Sequence, residues 1–206
     1  VAAAILLVGL LFSWLLLIPL LVAAAILLGY GVEIMRRVMQ GQMDGLPEWD
    51  DWSKLIAEGF RALVIVLVYA LPAIVVNICL GVPIALLAEN AEGLSALFSI
   101  LLSLASIVWG LAVSLVLPAA LALYVEADDL GAAFRFREVF ALVRDNFATY
   151  AITFLMSLVA SVVGSLGTIV CGVGWFATAP YGCMVTAHLF GQAYLESKGP
   201  LSQAVV

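Results

Sequence analysis

The chain has 206 residues, 66% hydrophobic and only 11% charged, with eight Lys or Arg against fourteen Asp or Glu and a formal charge of -6. A water-soluble domain is about half apolar and about a quarter charged, so this much apolar surface has no single aqueous core to hide in, and lipid is its natural solvent. The acidic balance, with its basic residues scattered over short segments, excludes a nucleic-acid surface, which needs Lys and Arg clustered on one face; it leaves membrane lipids as partners of the polar segments.

The first element is the apolar run Val1 to Leu28, interrupted by Gly9, Ser13 and Pro19. A spanning helix needs about 20 apolar residues, and this run reads as one span kinked at Pro19, where a backbone donor is missing. Two half-helices that enter and leave on one side are the alternative. Val1 already stands inside the run with no Met or charged stretch before it, so the true N-terminus is expected upstream. The run is too long for a typical signal-peptide core and lacks a cleavage pattern.

Over 32–40, Ile34, Met35, Val38 and Met39 share one helical face and Glu33, Arg36, Arg37 and Gln40 the other. This predicts an amphipathic interfacial helix with Gly41 as its stop. Over 47–60, Pro47 suits a first helical turn, and Glu48, Asp50 and Asp51 suit the positive end of the helix dipole. Trp49, Trp52, Ile56 and Phe60 recur every three or four residues. Tryptophan favours the headgroup region, so this segment reads as a second interfacial helix running into the next span.

Further spans are expected over about 62–88, 94–124, 150–170 and 177–194, with Pro72, Asn77 and Pro83 in the second span and Pro118 near the end of the third. Between the third and fourth, 132–147 sets Phe136, Val139, Phe140, Val143 and Phe147 in one stripe, with Arg135, Arg137, Glu138, Arg144 and Asp145 around it. This is a third interfacial helix. The sequence of amphipathic helix then span occurs twice, a weak internal repeat that sets Trp52 opposite Phe140. The whole reads as one all-α integral membrane domain, 1–206: a polytopic transmembrane bundle of about five spans.

Lys and Arg occur in 29–61, 125–148 and the C-terminal tail, and not in 89–93 or 171–176. The positive-inside rule places the first three in the cytoplasm and the last two outside. The expected location is the inner (cytoplasmic) cell membrane, crossed several times.

The expected membrane-interface residues are Trp49, Trp52, Phe60, Phe136, Phe140 and Phe147. Asn77 in the second span needs a partner in lipid, either as helix glue or on a polar path. Ser99 and Ser103, with Ser95, Ser106 and Gly110, make a small-residue stripe; Ser161 and Gly164 do the same in the fourth span. Such stripes pack helices closely or line a hydroxyl path. His188, the single histidine, is the one candidate ligand for a haem or pigment, and a hydrogen-bonded helix residue explains it more simply.

Asp50 and Asp51 point about 100° apart on a helix and form no natural carboxylate pair. No Asp, Glu, Lys or Arg falls deep in the expected spans, which argues against proton-coupled transport. Cys79, Cys171 and Cys183 have no metal-binding spacing and read as buried thiols; a Cys171–Cys183 disulfide has no support in the sequence. There is no G-x-S-x-G, H-E-x-x-H or Gly-rich phosphate loop. No enzyme, catalytic residue, metal or cofactor is expected.

Gly29-Tyr30, Arg36-Arg37-Val38, Gly41 and Leu46-Pro47-Glu48-Trp49-Asp50-Asp51-Trp52, followed by Gly59, resemble the signature of a family of prokaryotic membrane proteins catalogued as a domain of unknown function, DUF4013. Phe134 to Tyr150 and Ala187 to Tyr194 are similar to it too, so the likeness covers nearly the whole chain. The resemblance implies a multi-span bacterial or archaeal membrane protein and supplies no catalytic residues. It also implies a short cytoplasmic lead with Asp, Trp and Lys before the first span, absent from this sequence. The expected function is a non-catalytic accessory or scaffolding subunit beside other transmembrane proteins. A small transporter with a polar path near Asn77 is the alternative.

Overall fold

In lipid each backbone N–H and C=O must be satisfied within its own segment, and the apolar runs meet this demand as long helices. The structure is a computed structural model. It describes residues 2–42, 45–88, 91–166 and 174–199, with the side chains of 2–14, 16 and 175–177 outside the description. Among the described residues there are six α-helices and one 3-10 turn, and no strand. They are α1 (Ala2–Met39), α2 (Trp52–Leu87), α3 (Glu92–Ala127), a 3-10 turn at Leu130–Phe134, α4 (Phe136–Asp145), α5 (Phe147–Ser165) and α6 (Trp175–Ser197).

The helix ends follow local chemistry. Behind α1, Gly41 takes φ 73, and the N–H groups of Gly41 and Gln42 return to the carbonyls of Val38 and Arg37. That pair of bonds closes a helix only when the turning residue tolerates positive φ, as Gly does. The Asp51 carboxylate accepts the Lys54 N–H at 2.9 Å and caps the start of α2. Asp128, at φ 49, ends α3, and the Asp129 carboxylate holds the Gly131 N–H at the start of the 3-10 turn.

Several expectations are corrected. α1 passes Pro19 unbroken and continues to Met39. This overturns both the re-entrant half-helices and the separate interfacial helix over 32–40. Val32, Ile34, Met35 and Val38 are buried in protein, so the face assigned to lipid is a packing face. The helix expected over 47–60 starts at Trp52 and runs straight into the span as one helix. Pro47 lies before it, buried, with its carbonyl accepting the Tyr30 hydroxyl at 2.9 Å. The segment 132–147 divides into the 3-10 turn, α4 and the first residue of α5. The Trp52–Phe140 repeat therefore does not hold in three dimensions: Trp52 opens a 36-residue helix, whereas Phe140 sits inside a 10-residue one.

α2 and α3 have 36 residues each, about 54 Å at 1.5 Å per residue, against a hydrocarbon core of about 30 Å. Residues 17–39 of α1, together with α2, α3 and α5, are long and apolar enough to cross a membrane. The fifth long helix, α6, carries Thr178, Thr186, His188 and Gln192 and packs between α1 and α5.

The neighbours run α3, α2, α1, α6, α5, with α3 touching α5 and α6 lightly. The hairpins gather the C-termini of α1, α3 and α6, the N-termini of α2 and α5, and α4 at one end. All eight Lys and Arg belong to that end, hereafter the basic end. The core lies in this half, around Tyr30, Met35, Ile65, Tyr124, Val139 and Tyr150. From Leu71 to Leu111 the α2–α3 hairpin turns most of its side chains outward.

Candidate functional site at the basic end

Two glycines set the geometry. α1 crosses α2 with Gly29 against Leu55 and Gly59, and Gly59 against Ala25. A Cβ on Gly29 would lie 1.8 Å from the Leu55 carbonyl oxygen, and one on Gly59 would lie 1.7 Å from that of Ala25. The crossing is backbone on backbone, the contact small residues permit between helices in lipid. It fixes the phase of α2: Leu55, Glu58, Ala62, Ile65 and Tyr69 form the buried seam at the three–four spacing of packed helices. One member of that seam is a carboxylate.

Glu58 is 6% exposed. The Tyr124 hydroxyl donates to its Oε2 at 2.5 Å, and Arg61 Nη1 donates to its Oε1 at 2.9 Å. Arg36 reaches the same Oε2 at 3.5 Å, Asp128 at 3.0 Å and Glu33 at 3.4 Å. Lys54 joins Glu33 at 2.9 Å. Three carboxylates and three cations thus bind α1, α2 and the end of α3 into one layer. Removing one partner of a buried ion pair costs about 3–5 kcal/mol, whereas the exposed pairs Arg135–Glu138 and Arg144–Asp145 are worth about 0–1 kcal/mol each.

A second clamp joins α6 to α3, where the Tyr194 hydroxyl and the Lys198 ammonium both donate to Glu126. Tyrosines tie the loops. Trp49 stacks on Tyr30 at 4.1 Å between ring centres. The Tyr69 hydroxyl donates to the Ala133 carbonyl at 2.8 Å, holding the 3-10 turn.

Beside this layer lies a cleft of about 460 Å³ between the α1–α2–α3 and α5–α6 arms. Leu28, Met35, Leu121 and Phe190 line it. Its α5–α6 wall is a second close crossing, where a Cβ on Gly182 would stand 3.1 Å from the Ala160 oxygen and one on Gly164 would stand 3.4 Å from the Thr178 oxygen. Thr178 Oγ1 donates to the Gly164 carbonyl at 2.6 Å across that crossing.

The residues singled out from sequence are dispersed. Trp49, Trp52, Phe60, Phe136, Phe140 and Phe147 are all exposed, most of them around the basic end, with Phe136 edge-on to Tyr69 at 5.6 Å. Asn77 lies in the far hairpin, its amide donating to the Ala73 carbonyl at 2.8 Å and to the Ser106 hydroxyl at 2.9 Å. Ser99 and Ser103 are exposed, and the Ser103 hydroxyl returns to the Ser99 carbonyl. Ser161 and Gly164 line the cleft. His188 borders a separate pocket of about 300 Å³ with Arg37, Gln42 and Pro47. Cys79 and Cys183 are free thiols; Cys171 lies outside the described residues.

A family model described as a protein of unknown function, DUF4013, matches residues 11–173, well over half of the chain. The chain belongs to this family. Comparison with curated proteins and with solved structures gives no match. In this DUF4013 member, the glycines and arginine that carry the likeness, Gly29, Gly59 and Arg36, are the residues that build the α1–α2 crossing and the ion layer.

Glu58 and Tyr124 were not singled out from sequence. The signal for Glu58 was present: it falls in register with Leu55, Ala62, Ile65 and Tyr69. Following Trp52 and Phe60 instead selects the opposite, exposed face of α2. Glu58 lies outside the expected span, in the second turn of α2, and its burial comes from protein packing at the charged end.

Proposed function

We propose that this chain is a non-catalytic subunit of a membrane protein complex. Its basic end is a self-contained anchor, and the far part of its α2–α3 hairpin is a surface for other transmembrane proteins. The observation that carries this reading is the exposure of small and polar groups on that hairpin. Gly81 and Gly110 have open space where a Cβ would stand, and Asn77, Ser99 and Ser103 are exposed. Small residues with an occasional amide are what close helix–helix contacts in lipid use, and among the described residues no other helix occupies that face.

The non-catalytic reading is supported by the engagement of Glu58, whose two oxygens are held by Tyr124, Arg36 and Arg61. It is built as a lock rather than as a base open to a substrate. The transporter reading has less support, since the space beside Asn77 is about 200 Å³ and bounded by α2 and α3 alone. The charge asymmetry supports a cytoplasmic basic end in a prokaryotic cell membrane.

The test is affinity purification from native membranes in mild detergent. The reading expects a second transmembrane protein in fixed ratio with this chain. Recovery of the chain alone, as a monomer surrounded by lipid, would overturn it.

A further inference from the structure

We propose that the cleft between the two arms holds a hydrocarbon chain of a membrane lipid. Four observations converge. First, its hydrogen-bonding groups are already spent as donors: Ser161 on the Ser157 carbonyl, Ser165 on Val162, Thr186 on Gly182, and the Cys183 thiol turned to Leu27. An occupant meets methyl and methylene groups and finds no directed donor, which suits a chain and not a polar solute.

Second, among the described residues no charged one lines the cleft, and the ion pairs of the Glu33–Arg36–Glu58–Asp128 layer and of the Tyr194–Glu126–Lys198 clamp lie outside its lining. Third, α3 and α5 touch only lightly. The cleft residues Ser161 and Ser165 there are exposed and continue into Leu158 and Val162, part of the outward apolar surface that lipid covers. Entry is therefore lateral, from the bilayer.

Fourth, the shape fits. The α6 wall runs from Ala179 to Phe190, about 16 Å at 1.5 Å per residue, an elongated slot as long as most of an acyl tail.

The experiment places the full chain in nanodiscs of phosphatidylglycerol and phosphatidylethanolamine, with a trace of phospholipid bearing a diazirine near the end of one acyl chain. Photolysis and peptide mass spectrometry then map the adducts. The wild type is expected to carry adducts at Leu121, Phe190 and Met35 as well as at the outward Leu158. Thr186→Phe and, independently, Val66→Phe put a ring into the slot. Each is expected to cut the slot adducts about tenfold, because a packed phenyl ring takes the space the chain needs, and to leave Leu158 labelling unchanged. A wild type labelled at Leu158 but not in the slot overturns the proposal, and so does a folded filled variant whose slot adducts persist. The wild-type map decides the matter even where both variants fail to fold.

Discussion

The two ends of the α2–α3 hairpin have similar apolar composition and opposite fates. Near the basic end it is packed on α1, with Glu58, Ile65 and Tyr124 buried. Beyond Leu71 the same two helices stand largely alone, joined by the Asn77–Ser106 hydrogen bond and by Trp109 Nε1 on the Tyr69 carbonyl at 3.1 Å. Lipid tails are as apolar as leucine, so hydrophobicity alone does not draw helices together in a membrane. What separates the two regions is the supply of other forces: glycine-to-backbone contact, ion pairs and tyrosine hydroxyls at one end, serines bonded to their own helix at the other.

Substitutions that trade on these forces test the contrast, all read by reversible unfolding in detergent micelles followed by tryptophan fluorescence. The largest effect is expected at the α1–α2 crossing. Gly59→Ala drives a methyl into the Ala25 carbonyl and should cost more than about 4 kcal/mol; a melt within about 1 kcal/mol of wild type would mean that the helices do not cross there. Next, Glu58→Ala strips the ion layer of its centre and should cost about 3 kcal/mol, with Arg61, half exposed, keeping the figure from being larger. Glu58→Gln, which retains an acceptor, should lose about half as much.

In the far hairpin the effects should shrink. Asn77→Leu removes one interhelical bond and should cost about 1 kcal/mol or less. A loss as large as that of Glu58→Ala would place a packed core where the structure has none. Gly110→Ala, in open space, should be neutral or slightly stabilising, by about 0.5 kcal/mol. If Gly110→Ala leaves the isolated chain intact but lowers recovery of a co-purifying protein, the contrast between anchor and docking surface is sharpened.

The helical membrane architecture was legible because length and hydropathy alone decide it. Helix ends were less so. The sequence cannot distinguish an amphipathic face against lipid from one against protein, and Ile34, Met35 and Val38 serve both descriptions until α6 is placed over them. The buried seam of α2, which contains Glu58 and Gly59, was not picked out because the aromatic stripe on the exposed face is stronger in composition. Tyr124 pairing with Glu58, 66 positions away, is set by how α2 and α3 fold back on each other, and no local pattern encodes it. Gly29, Gly59 and Arg36 stood out by family likeness before their physical roles were visible.

The account turns on the far hairpin meeting protein where α5 meets lipid, and a photoreactive amino acid at each surface in living cells tests that directly. Placed at Ser103 it is predicted to give a defined protein–protein adduct, and placed at the exposed Leu155 of α5 to give lipid adducts alone. Lipid adducts alone at both positions would contradict the account.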